Sequence, residues 1–217
     1  MNMLNLIGTI LISSIRNLFN NQHDVLTPTR FTGMTEWNYS RHLANEIVKY
    51  IFWLNHDTDV TKHDYHNRRP DIIFHKRGIN DLNFLVVEIK KISGLGNNDI
   101  KKIKRDWMCE PLLYRFGASI VVQSAEDFEV VVFHKNGFQD FSQSTTVIPA
   151  PRISDSDRRQ FIRLVSTIFS IAGDRSYPRN TQKQAEVKDL KSEIDRLVYE
   201  LYGLTEEIRL VEESVAN

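Results

Sequence analysis

The chain has a single cysteine, Cys109, so no internal disulfide can brace it, which fits a reducing cytoplasm. That cysteine is expected as buried filler, not as a nucleophile. The chain also has no net charge: 28 Lys and Arg balance 28 Asp and Glu, which excludes bulk attraction of the whole molecule to a polyanion. Long uninterrupted apolar runs are missing too. The most apolar stretch, Met1 to Phe19, is broken by Asn2, Asn5, Gly8, Ser13, Ser14, Arg16 and Asn17, lacks a basic leader and is short of a bilayer span. Leu4, Ile7, Leu11, Ile15 and Leu18 recur at helical spacing, so a docking helix is expected there, with a membrane or export role as the rival. The seven His show no zinc pattern: His63 and His66 stand three apart without a Cys pair nearby, and read as loop residues. What is present is 217 residues, 41% hydrophobic and 26% charged, enough for one core with an appendage.

The chemistry concentrates between Arg69 and Lys90. Asp71-Ile72-Ile73-Phe74 reads as a strand: it is rich in β-branched and aromatic residues and follows Pro70, which cannot donate to a ladder. Phe84 to Lys90 reads as a second strand, and the polar segment Lys76 to Asp81 between them as a turn. A hairpin centred between Ile79 and Asn80 sets Asp71 directly opposite Glu88, with Cβ atoms roughly 4.5–5.5 Å apart. Strand side chains alternate, so Glu88 and Lys90 share a face with Asp71 while Val87 and Ile89 face away. Two carboxylates at that separation suit Mg²⁺, a hard cation held by one or two carboxylates plus water and phosphate oxygens; Mn²⁺ can substitute. Such a metal polarises a phosphoryl oxygen and lowers the pKa of a bound water, and an ammonium at Lys90 stabilises the developing charge. The Ile89 carbonyl, between Glu88 and Lys90, is a further candidate ligand. An ordinary solvated Glu and Lys is the competing reading, because isolated ExK triplets are common.

These residues also carry a resemblance. RRPDIIFHKRG…NFLVVEIKK resembles the core of the PD-(D/E)xK superfamily, the restriction-endonuclease-like fold, and within it small bacterial proteins with an RPDIIxHxRG…NLLVxEIKK block. His63-Asp64-Tyr65-His66-Asn67 is similar to the same proteins' acidic-Tyr-Asn segment, with Asp64 where they carry Glu. Glu36-Trp37-Asn38-Tyr39-Ser40-Arg41-His42-Leu43-Ala44 resembles their first helix, which opens with Glu. The resemblance spans residues 34–133. It implies a metal-dependent endonuclease with Asp71, Glu88, Lys90 and Glu36 as catalytic residues, acting on nucleic acid, DNA ahead of RNA, in restriction or defence. The rival is a non-catalytic nucleic-acid-binding or subunit-interaction module.

Around the hairpin, Thr35 to Leu54 reads as a helix with an apolar stripe of Leu43, Ile47, Val48, Ile51 and Leu54. It carries two acidic candidates, Glu36 and Glu46, about 80° apart around the axis. The resemblance favours Glu36; Glu46 suits a surface ion pair. Asp99 to Phe116 reads as a helix reset near Pro111, whose Lys101, Lys102 and Lys104 form a basic strip for phosphates. Ala118–Gln123 and Phe128–His134 read as strands and Asp155–Ile171 as a helix.

The expected class is α/β, a mixed sheet flanked by helices with a coiled-coil-like helical extension. Its divisions are 1–33 (helix and loop), 34–141 (nuclease-like core), 142–182 (helix and linkers) and 183–217 (helical tail). In the tail, Leu190, Ile194, Leu197, Leu201, Leu204, Ile208 and Val211 step by threes and fours. Residues 193–208 resemble the tail of bacterial restriction-modification proteins. That seam packs on its own core, on a second copy or on a restriction partner, and a homodimer is favoured.

Overall fold

Asn2 accepts the Asn5 N–H at 2.9 Å and so caps the first helix, α1, Met3–Asn21. Leu6, Ile7, Ile10, Leu11, Ile12, Ile15 and Leu18 are each at most 1% exposed, so α1 is a core helix. No helix among the described residues is long and apolar enough to cross a membrane. The computed structural model describes residues 2–22, 36–61, 69–90, 101–124, 127–135, 137–142 and 144–204, with the side chains of residues 36 and 37 excepted. The second helix, α2, is Glu36–Ile47. It is shorter than the stripe suggests, because the Val48–Leu54 stretch folds into turns that still bury Tyr50, Ile51, Trp53 and Leu54.

Among the described residues six strands follow: β1 Asn55–Thr58, β2 Ile72–His75, β3 Leu85–Lys90, β4 Phe116–Val122, β5 Phe128–His134 and β6 Gly137–Asp140. They form one sheet in the order β1-β2-β3-β4-β5-β6. Every neighbouring pair is antiparallel except β3–β4, which is parallel. A parallel pair needs a crossover. Among the described residues of that crossover, Lys101 and Lys102 are helical and run into a π-helical stretch, Ile103–Trp107; the helix expected over 99–116 ends there, before Pro111, and does not resume. Leu112 and Leu113 N–H both bond to the Cys109 carbonyl, and this turn leaves Cys109 exposed instead of buried.

Strand alternation divides the apolar residues between two cores. On one face Ile72, Phe74, Leu85, Val87, Ile89, Ala118, Ile120, Val130 and Val132 join the helices in the larger core. On the other, Ile73, Val86, Val131 and Phe133 lie under Ile103, Trp107, Leu112 and Tyr114. A glycine makes the second core possible. A Cβ at Gly117 would stand 2.2 Å from Ile103 Cγ2, so only Gly lets the π turn settle on β4. Gly117→Ala is therefore expected to cost about 1–3 kcal/mol through overpacking, read by urea denaturation. An unchanged midpoint would show that the turn can lift without penalty.

Two further helices among the described residues are α3, Asp155–Ala172, and α4, Thr181–Leu201, joined through a short 3₁₀ turn, Tyr177–Arg179. Phe161 of α3 stacks on Trp53, ring centroids 5.1 Å apart. The seam of α4 is covered by the chain itself. Val187, Ile194, Val198 and Leu204 are buried in the larger core, and Leu190 and Leu197 pack against it. Arg115–Asp195 at 2.7 Å and Lys191–Asp81 at 3.1 Å tie the same helix to the sheet. Ile208 and Val211 lie outside the described residues. A chain ending at Asn180 is accordingly expected to lose cooperative thermal unfolding, because it strips a wall from the core. A truncated chain that melts like the full one would mean that α4 is an accessory.

Candidate functional site

The hairpin has the register its residues dictate. Ile72 pairs with Val87, Ile73 with Val86 and Phe74 with Leu85. Extending that ladder by one pair sets Asp71 across from Glu88, where β2 begins and β3 nears its end. Asp71 is half-buried, and its Oδ2 accepts the Ile89 N–H at 2.6 Å. Its carbonyl accepts the Asp59 N–H at 3.1 Å. The Asp71 carboxylate thus bridges to the main chain of β3 beside Glu88. Val86, Glu88 and Lys90 alternate onto the face of the smaller core, while Val87 and Ile89 enter the larger one.

Glu88 is 2% exposed, an expensive place for a charge unless partners compensate. Its Oε1 accepts the Trp107 indole N–H at 2.8 Å, and the Lys102 ammonium lies 2.8 Å from the carboxylate. Burial pushes the Glu88 carboxyl above its usual range, and the neighbouring Asp71 charge adds to this. Lys102 and the Trp107 N–H pull the other way without cancelling it. A raised carboxylate keeps a proton in the folded state that the unfolded state releases. Its contribution to stability is therefore full below 4.5, the ordinary Glu value, and is lost as pH rises through that value towards the folded one. Glu88→Gln keeps the shape and removes the charge. It is expected to stabilise the protein at neutral pH by about 0.5–2 kcal/mol and to change little in acid, as measured by urea midpoints at the two pH values. Equal shifts at both would detach the effect from ionisation.

The other expected site residues are less gathered. Lys90, half-buried, ends β3 on the Glu88 side. Lys101 is exposed. Lys102 is turned inward onto Glu88, and Lys104 places its ammonium 5.5 Å from the rings of both Phe133 and Phe138. The three lysines of the crossover therefore do not form a single strip. Glu36 opens α2, its side chain outside the described residues, as are Asp64, His63 and His66. Glu46 is 3% exposed and pairs with Lys49 at 2.5 Å, a buried carboxylate in place of the surface pair expected. Its carboxylate is taken up by Lys49, and among the described residues it does not gather with Asp71 and Glu88. Among the described residues no three His, Cys, Asp or Glu side chains gather as a metal cluster.

The two carboxylates still suit a hard divalent cation. One is buried and held above its ordinary pKa by burial and its acidic neighbour, so added positive charge is favoured there, and an ammonium already stands beside it. The residues that sequence reasoning missed are Trp107 and the inward role of Lys102. Their spacing of five matches the i→i+5 hydrogen-bond spacing of the π stretch, which brings both to Glu88.

Beyond this pair, β1 and β2 share a structural cluster. Asp57 accepts from Arg77 Nε at 2.9 Å and lies 2.7 Å from His75 Nε2. Burial works to raise the Asp57 carboxyl, but Arg77 and His75 outweigh it and hold it below its usual range. A cavity of about 930 Å³ lies at the other end of β3, lined by Trp53, Phe84, Leu113, Arg115, Lys191 and Ile194. None of Asp71, Glu88 or Lys90 reaches it; it lies where α4 docks against the sheet. No protein-family model matches the chain, and no curated protein or solved structure does either.

Proposed function

We propose that this chain is a metal-dependent endonuclease of the restriction-endonuclease-like fold, hydrolysing phosphodiester bonds, those of DNA ahead of RNA, in cytoplasmic restriction or defence. The observation that carries the reading is the placement of Asp71 across from Glu88 at the mouth of the hairpin, with Lys90 on the same side. The order α2, β1, β2, β3, crossover, β4, with its one parallel pair, is compatible with that fold, which by itself names no substrate.

Asp71 and Glu88 are the proposed holders of Mg²⁺ or Mn²⁺, with the Ile89 carbonyl as a further ligand and Glu36 assisting. The cation, when bound, supplies Lewis-acid stabilisation of charge on the phosphoryl oxygens. Asp71 is fixed for this by the Ile89 N–H, and Glu88 by Trp107. Lys90 places its ammonium to stabilise the negative charge that grows as the phosphodiester is attacked. Lys101 and Lys104, both exposed, contact backbone phosphates.

A non-catalytic nucleic-acid-binding or subunit-interaction module is the second reading, favoured by one fact: Glu88 already has two partners. The deciding experiment incubates the full chain with plasmid, linear duplex, single strand and RNA, with Mg²⁺, with Mn²⁺ and with chelator. Metal-dependent nicking or cutting supports the nuclease; binding without cleavage under every metal supports the module. Cutting both strands calls for two active sites, so the same preparation is expected to behave as a homodimer by light scattering.

A further inference from the structure

Buried carboxylates that await a cation face a problem when the cation is gone. Glu88 is 2% exposed and sits across the hairpin from half-buried Asp71, so with no counter-charge the apo protein would hold a desolvated charge next to a like one. The structure supplies a counter-charge. Lys102 reaches in from the crossover and sets its ammonium 2.8 Å from Glu88. Its side chain is 32% exposed, so the ammonium stands at the margin between the pair and solvent and has somewhere to go. Trp107 holds Glu88 independently, through Oε1 at 2.8 Å, from a ring with no exposed surface. Two partners of opposite exposure thus meet one carboxylate: a fully buried neutral donor and a partly exposed cation. The π turn makes this possible, because it seats Ile103 against Gly117 and brings both side chains down over the end of β3.

We propose that Lys102 is the built-in counter-cation of the site, a positioning residue that compensates Glu88 in the metal-free protein and is displaced outward when a divalent cation binds, while Trp107 keeps Glu88 aimed. The proposal rests on the metal reading of Asp71 and Glu88. A metal and an ammonium compete for the same carboxylate, so each weakens the other, and the ammonium's release exposes it to solvent. Lys102 therefore sets metal affinity without serving as a ligand.

The probe is Mn²⁺ alone, titrated calorimetrically at mildly alkaline pH into the full-length wild type, Lys102→Met and Lys102→Arg. Lys102→Met leaves the buried pair uncompensated except by metal, and is expected to bind Mn²⁺ about tenfold more tightly. Lys102→Arg restores a cation and is expected to return the affinity towards wild type. A second measurement uses the unmodified chain, so it does not depend on any variant folding: a limiting dose of an amine-acylating reagent, with site occupancy read by mass spectrometry. Lys102 labelling is expected to rise severalfold on Mn²⁺ saturation, with exposed Lys101 unchanged as the internal reference. Equal or weaker Mn²⁺ binding by Lys102→Met, or Lys102 labelling indifferent to Mn²⁺, overturns the displacement and leaves the metal site standing. A wild type that binds no Mn²⁺ overturns the metal reading itself.

Discussion

Asp71→Ala or Glu88→Ala is expected to abolish metal-dependent cleavage, by at least about 10²–10³-fold for either change alone. The two substitutions reach that result by different routes through the fold, which is what makes them informative together. Asp71 is half-buried, and its loss orphans the Ile89 N–H, a cost of about 1–3 kcal/mol if no water replaces it. Glu88 is buried, and its loss removes a desolvated charge but leaves the Trp107 N–H and the Lys102 ammonium without their partner. If activity followed stability, the two variants would differ in rate as they differ in melting temperature. If activity follows the cation, both lose cleavage whatever their stability, and both lose Mn²⁺ binding. Asp71→Asn and Glu88→Gln refine the comparison: each keeps the side-chain shape while weakening the oxygen donor set. Nicking rates on supercoiled plasmid, with thermal midpoints on the same samples, decide it. Folded variants that cut at the wild-type rate would remove Asp71 and Glu88 from the chemistry.

The hairpin was legible because its signals are local and agree with one another. Pro70 marks the strand start, alternation marks the faces, and the turn length fixes the register, so Asp71 opposite Glu88 follows from counting. The edges of the sheet were not legible. β1 is Asn-His-Asp-Thr and β6 is Gly-Phe-Gln-Asp, neither with an apolar alternation, and both are held by pairing to one neighbour. Polar edge strands are how sheets avoid further pairing, so the composition that protects them also hides them. The partners of Glu88 were hidden for another reason. Lys102 looks like one more basic residue of an exposed helix, and Trp107 like ordinary core. The segment that carries both lies close against Gly117, 14 residues from Ile103 in sequence, an approach no local pattern announces. The tail showed the converse. Its seam was plain in the sequence, but periodicity says that a face must be buried and not against what. The answer lay in Asp81 and Arg115, distant residues that pair with the helix, and in Tyr50, whose carbonyl accepts the Tyr202 hydroxyl just past its end.

Lys90 separates catalysis from cation binding, and Lys90→Ala is expected to lose about 10²–10³-fold in cleavage rate, some 2.7–4 kcal/mol of transition-state stabilisation, while Mn²⁺ affinity is retained. Lys90 ends β3 half-buried, one residue past the segment that Asp71 clamps through Ile89, so truncating it removes little packing. It stands two residues from Glu88 on the same side of the strand, the placement of a group that answers charge on a reacting phosphodiester. The contrast with Lys102 is the sharper test, because Lys102 contacts Glu88 while Lys90 stands two residues from it on the same strand face, and the two differ in task. Removing Lys102 is expected to tighten metal; removing Lys90 is expected to leave metal binding alone and slow the chemical step. Single-turnover cleavage and Mn²⁺ calorimetry on both variants give four numbers with a fixed pattern. A Lys90→Ala protein that cuts at the wild-type rate makes Lys90 a bystander. One that loses Mn²⁺ binding along with cleavage makes it part of the fold of the site, and its ammonium then has no separate part in the reaction.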